Sequence, residues 1–128
     1  MKTLSLYVAP IILSFGLSSL TPVAAETISC GKLVGAFNAN EMRALRDHKN
    51  KTYIVSGRVE SVGADFMDNP QINLSDGSEW SFNSCIAEPA RGEDFYYDLD
   101  EGQFVKMQCK VTGEMMGSPM LEGCVLAN

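Results

Sequence analysis

Four cysteines, one histidine, an acidic run and a methionine cluster are the residues of this 128-residue chain whose types could support chemistry. Cys30, Cys85, Cys109 and Cys124 include no Cys-x-x-Cys pair. With a single histidine beside them, neither structural zinc nor a thioredoxin-like redox centre has the ligand spacing it needs. His48 has no serine in a nucleophile-elbow setting and no Gly-rich phosphate loop to work with, so it reads as a helix C-terminal residue and not as a general base. Glu93, Asp94, Asp98, Asp100 and Glu101 could offer oxygens to Ca²⁺ but lack the Asp-x-Asp-x-Asp-Gly spacing of a calcium loop, which leaves a solvated acidic crossover. The segment Glu114 to Met120 holds three methionines. Thioethers suit Cu(I), yet no His or Cys stands among them, and Met also fills irregular surfaces and cores. The expectation is therefore a protein that is not an enzyme, with no metal and no cofactor. Asn50-Lys51-Thr52 and Asn73-Leu74-Ser75 match the glycosylation sequon but fall on or beside predicted strands.

Export decides how the cysteines are read. Lys2, an apolar stretch from Leu4 to Leu20 and the tail Val23-Ala24-Ala25 follow the three-part layout of a signal peptide, cut after Ala25. A leader over residues 1–25 and one domain over 26–128 are expected, periplasmic or secreted, with no later segment long and apolar enough to span a membrane. Thr27-Ile28-Ser29 before Cys30 lacks the Leu and small residues of a lipidation site. All four cysteines survive cleavage, and an even count in an oxidising compartment implies two disulfides from three possible connectivities. The leader removes Lys2 and no acid, leaving nine Lys and Arg against sixteen Asp and Glu, a formal charge of −7. Such a surface repels phosphate backbones and anionic lipid.

The elements that must position these residues follow from periodicity. Asn38 and Glu41 have capping-box spacing, Phe37 and Met42 staple spacing, and Met42, Ala44 and Leu45 give an apolar stripe, which predicts a helix from Asn38 to about His48. From Thr52 the period is two: Tyr53, Val55, Gly57 and Val59 share one face of a long strand, with Gly57 marking a bulge or sharp coil that lets the strand serve two sheets. Ile72 and Leu74 form a short second strand, and Asp76-Gly77 turns into a third beginning at Trp80-Ser81-Phe82. A helical or irregular crossover follows, with Phe95 and Leu99 at spacing four and an end at Gly102. Val105, Met107, Cys109 and Val111 share one face of the fourth strand, and Met120 to Leu126 is the fifth.

Five strands, a bent first strand and a crossover between the third and fourth describe an OB-fold, an all-β five-stranded barrel, here preceded by a helix. The stretch Lys51 to Val59, Ile72-x-Leu74, Leu99-x-x-Gly102-Gln103-x-Val105 and Leu121-Glu122-Gly123-Cys124 resembles the tRNA_anti-like family of small exported bacterial OB-fold proteins. The resemblance implies the fold and no established activity. If Met116-Gly117 forms a two-residue turn, Cys109 faces Cys124 and leaves Cys30 for Cys85. One bulge would shift that register, and Cys85 could then reach the last strand instead. OB-folds bind ligands on the face of their second and third strands, flanked by the loops joining strands one to two and four to five. Those loops hold Phe66, Met67, Met115 and Met116, with Trp80 beginning the third strand. Trp80 and Phe66 could instead plug one end of the barrel. The function expected is a binding or interaction module of the cell envelope with a protein or glycan ligand. Single-stranded nucleic-acid binding is the alternative, disfavoured by the charge. The sequence does not fix an oligomeric state.

Overall fold

The computed structural model describes residues 24–78 and 83–127. Its elements run β1 (Glu26–Ser29), α1 (Cys30–Ala39), α2 (Glu41–His48), β2 (Thr52–Ala64), β3 (Pro70–Ser75), β4 (Ser84–Pro89), a 3-10 turn (Phe95–Asp98), β5 (Phe104–Met115) and β6 (Ser118–Leu126). The strand order is β1-β2-β3-β4-β6-β5, and β2 pairs again with β5. Strands β2 to β6 thus close into a five-stranded barrel in which β4 and β6 run parallel, the topology of an OB-fold.

The closure depends on β2 changing partners along its length. Residues 52–58 pair antiparallel with β5 and residues 58–64 with β3, so Arg58 faces both Phe104 and Ser75. A strand bent in this way was expected, but the bulge lies one turn of the pleat later. The register shifts between Val59 and Ser61, so that after Tyr53, Val55 and Val59 have pointed in, Ser61 stands on the outer face opposite Asn73 and Val62 on the face of buried Ile72. Gly57 answers a different need. A Cβ there would sit 3.3 Å from the Leu74 Cβ and 3.4 Å from that of Cys30, so its missing side chain lets α1 and β3 approach the strand.

The barrel interior follows the alternation read in the sequence. Val105, Met107, Cys109 and Val111 are buried on β5, Ile72 and Leu74 on β3, Cys85 and Ala87 on β4, and Leu121 and Cys124 on β6. Each fully buried aliphatic side chain of this kind contributes about 2 kcal/mol by burial.

The entry to the barrel differs from expectation in three ways. β1, a four-residue strand, lies parallel to β2 outside the barrel closure, too short to announce itself by alternation. Two helices stand where one was predicted. Cys30, Leu33, Val34 and Phe37 recur at helical spacing on α1 and are all buried, and α1 packs on β2, β3, β4 and β6. It is Asn40, not Asn38, that caps α2, accepting from the Arg43 N–H at 2.9 Å. Phe37 is committed to the core and Met42 is exposed, so the staple does not form, and α2 buries Ala44 with Leu45 half-buried.

The third barrel strand is Ser84–Pro89. The predicted start at Trp80-Ser81-Phe82 lies outside the described residues. Cys85 is therefore an inward strand residue opposite Leu74. The crossover holds the expected short helical turn, but that turn ends at Asp98 with Leu99 as its cap, and Gly102, at φ +86°, sits in a separate turn over residues 100–103 that leads into β5. No helix among the described residues is long and apolar enough to cross a membrane.

Both disulfides have the pairing the turn geometry implied, Cys30–Cys85 and Cys109–Cys124. Met116 and Gly117 both have positive φ, 51° and 88°, the signature of a type I′ hairpin turn. Met115 pairs with Ser118 across it. Between that turn and the disulfide the ladder slips twice, in opposite senses. Thr112 is an extra residue on β5, and the Gly123-Cys124 step adds one on β6. The two slips cancel, and the Cα atoms of Cys109 and Cys124 stand 4.3 Å apart. Cys30–Cys85 ties the first turn of α1 to β4, with Cα atoms 5.9 Å apart.

Candidate functional site

The expected binding face lies on the outer side of β3, β4 and β6, between the β2–β3 and β5–β6 loops. Residues that alternate with the core point out here: Gln71 on β3 and Ile86 and Glu88 on β4, with Met120 on the neighbouring β6. With Phe66, Pro70 and Met115 they line a groove of about 420 Å³ floored in part by Leu121.

The β2–β3 loop is held open by one carboxylate. Asp65 accepts the backbone N–H groups of Met67 at 2.8 Å and Asn69 at 3.0 Å. The Asn69 amide donates to its other oxygen at 3.3 Å. These bonds, led by that from the Asn69 backbone, hold the Asp65 carboxyl below the usual carboxylate range, so it stays charged. The chain turns back through Asp68 at φ 63°, and Phe66 is left 96% exposed at the tip. Phe66 therefore does not plug the barrel.

Opposite it, the β5–β6 turn is fixed by Glu114, which accepts the Gly117 N–H at 2.7 Å. Met115 and Met116 are 56% and 91% exposed. Glu114 also shares a hydrogen bond with Glu41 of α2, which, with their mutual repulsion, raises the Glu41 carboxyl above its ordinary value. The structure thus brings Phe66 and Met115 to one groove, leaves Met67 and Met116 exposed in the same two loops, and has Trp80 outside the described residues. Sequence reasoning missed Ile86, Glu88 and Met120. The signal was available once Cys85 and Ala87 are taken as inward, because Ile86 between them is an apolar residue on an outward position.

A second hollow of about 280 Å³ continues the groove. It shares Pro70 and Glu88 with the first and extends to Asn69, Arg91, Glu93 and Tyr96. The Tyr96 hydroxyl titrates above its ordinary value, chiefly through a hydrogen bond with Tyr97.

The residues singled out for catalysis or metal binding lie elsewhere. The Nδ1 of His48 is 2.7 Å from the Tyr53 hydroxyl, and its ring leans on Phe37 and Tyr53, pinning the end of α2 to β2. Burial leads the rise in the Tyr53 hydroxyl pKa. Among the described residues no three His, Cys, Asp or Glu side chains gather as a metal site would require.

A closed five-stranded β-barrel of OB topology, entered through a disulfide-tethered helix, is the class of protein these features define. No family model matches the chain, and no curated protein does, so the tRNA_anti-like resemblance is unconfirmed. Among solved structures the chain is similar to a Klebsiella pneumoniae subsp. pneumoniae protein described as a "putative nucleic acid-binding lipoprotein", with TM-score 0.66 and 13% identity over 84% of this chain and 100% of that one. At that identity the likeness is one of fold.

Proposed function

We propose that the chain is a non-enzymatic binding module of the bacterial cell envelope, periplasmic or secreted, that takes a protein or glycan segment on the β3–β4–β6 face. The observation that carries the reading is the exposure of Phe66, Met67, Met115 and Met116 on loops fixed by Asp65 and Glu114, around a groove walled by Ile86 and Met120. Large apolar side chains held in water by an ordered backbone cost solvation that burial against a ligand would recover. Export is supported by the signal-peptide layout of residues 1–25 and by two disulfides, which persist in oxidising compartments.

Pulldown from an envelope extract tests it. The wild-type protein is expected to retain a partner that the variant Phe66→Ser/Met67→Ser/Met115→Ser/Met116→Ser loses, with the melting temperature nearly unchanged. A collapse in melting, or undiminished capture, would refute the assignment of the face.

The description attached to the Klebsiella protein is the observation that favours a second reading, single-stranded nucleic-acid binding. The −7 charge expected after leader removal and the carboxylates of Asp65 and Glu88 in the groove oppose it. No retention of single-stranded DNA or RNA is expected at physiological salt. Tight binding with a steep salt slope would replace the first reading by the second.

A further inference from the structure

We infer that the groove recognises an extended polypeptide segment carrying an apolar side chain and, two residues along, a lysine or arginine. The inference rests on the binding-module reading and specifies its ligand. Shape, charge and spacing each contribute to it.

The two hollows share Pro70 and Glu88 and run from Phe66 to Tyr96. An apolar cavity of about 420 Å³ adjoining a polar one of about 280 Å³ at Pro70 and Glu88 suits a chain with successive side chains of different character. The first hollow is walled by Phe66, Ile86, Met115 and Met120, which suit an apolar side chain of variable shape because thioethers adapt.

Charge then selects the neighbouring group. The ionisable residues lining the two hollows include the acids Asp65, Glu88 and Glu93 against one cation, Arg91. Glu88, at the boundary, is exposed and has no ion-pair partner among the described residues. A Lys or Arg side chain supplies the complementary charge, and the acidic surface steers it in.

Spacing joins the two. Ile86 and Glu88 lie on the same face of β4, two residues apart and so separated by roughly 6.5–7 Å. An extended ligand strand has the same repeat, which places its residue i over Ile86 and its residue i+2 over Glu88. A neutral glycan can hydrogen-bond these carboxylates but brings no cation to balance them, and nucleic acid is repelled by them.

The test uses capped peptides in a Gly/Ser frame, titrated to millimolar concentration against the ¹⁵N-labelled mature protein. One carries Phe and, two residues on, Lys; a second has Glu in place of that Lys. Oligo(dT) and a neutral N-acetylhexosamine tetramer are titrated alongside. The Phe/Lys peptide is expected to shift the amides of Phe66, Ile86, Glu88 and Met115 and to bind at least tenfold more tightly than the Phe/Glu peptide. Glu88→Lys, an exposed substitution whose folding a melting curve verifies, should invert that preference. Equal binding of the two peptides, an unchanged preference in Glu88→Lys, or no peptide binding at all would overturn the inference. If the glycan or oligo(dT) alone binds with the same amides shifted, the face is a binding site and only the polypeptide specificity fails. The pulldown above decides the face independently.

Discussion

Two glycines in one helix predict opposite responses to the same substitution. A Cβ on Gly31 would lie 2.5 Å from the carbonyl oxygen of Asp76, whereas ordinary contact begins at 3.4 Å. Neither side can retreat easily. The preceding Cys30 is bridged to Cys85 on β4, and Ser29 belongs to β1 and accepts the Lys32 N–H at 3.1 Å as the helix cap. Asp76 sits in a turn where Ser75 accepts the Gly77 N–H and Asp76 that of Ser78. Forcing a methyl group into such a contact costs about 1–3 kcal/mol. The helix-propensity gain of Gly→Ala, at most about 1 kcal/mol in a helix interior, offsets part of this. Gly35, one turn on, is exposed, and a methyl group there would have nothing within 4 Å of it, so Gly35→Ala keeps the whole gain. The two variants should therefore differ by about 1–3 kcal/mol, with Gly35→Ala more stable than wild type and Gly31→Ala less. For a domain of this size that separation is about 4–8 °C in Tm per kcal/mol. Urea denaturation with a shared m-value, checked by calorimetry, measures it. Equal stabilities for the two alanine variants would refute the close approach of α1 to the β3–β4 connection.

The two disulfides close sequence separations of 15 and 55 residues, which by chain entropy stabilise by about 3 and about 4 kcal/mol. Cys30→Ala/Cys85→Ala should therefore lower the urea midpoint more than Cys109→Ala/Cys124→Ala, and non-reducing peptide mapping of the wild type should recover only these two bridges. Asp65 titrates below the usual carboxylate range because it accepts backbone N–H bonds when ionised. Its contribution to loop order is present above the unfolded carboxylate pKa and lost as pH falls through the lowered folded value. The Met67 and Asn69 amide resonances, followed by NMR, should hold position through mild acid and move only below that range, while in Asp65→Ala the acid-dependent step should be absent.

Period-two alternation made β5 legible from Phe104 to Thr112, because Val105, Met107, Cys109 and Val111 are apolar and inward while Lys106, Gln108 and Lys110 between them point out; its last residues before the turn, to Met115, lie past the Thr112 bulge. The hairpin turn was legible in part: Gly117-Ser118-Pro119 reads as a turn before a strand from Met120, but the positive-φ step is Met116-Gly117 and β6 already begins at Ser118. The disulfide across it was reached through a register arithmetic that holds only because two bulges cancel, which no local pattern announces. α1 escaped notice because Gly31 and Gly35 and the absence of an acidic first turn weaken its propensity, while its apolar stripe lies outside the capping box. Of the candidate groove, Phe66 and Met115 were visible as apolar residues in turn contexts, while Met67 and Met116 stand exposed on the same two loops. The walls at Ile86 and Met120 were hidden because an apolar residue on an outward strand position looks like core until the inward face has been assigned by Cys85 and Ala87.

The exchange of partners along β2 sets the order in which the molecule is assembled. Its C-terminal half finds β3 across a short loop, but its N-terminal half must wait for β5, as in the pairing of Thr52 with Lys110. If the chain crosses a membrane amino end first, the edge formed by Tyr53 to Arg58 stays unpaired until the crossover after β4 has emerged. Non-local closure of this sort is slow, and an unpaired apolar strand edge invites pairing with other chains. β1, which arrives first, covers only the side of β2 that faces away from β5. An amino-terminal piece that stops short of β5 therefore lacks the strand that pairs with residues 52–58, and only the last third of the chain supplies it.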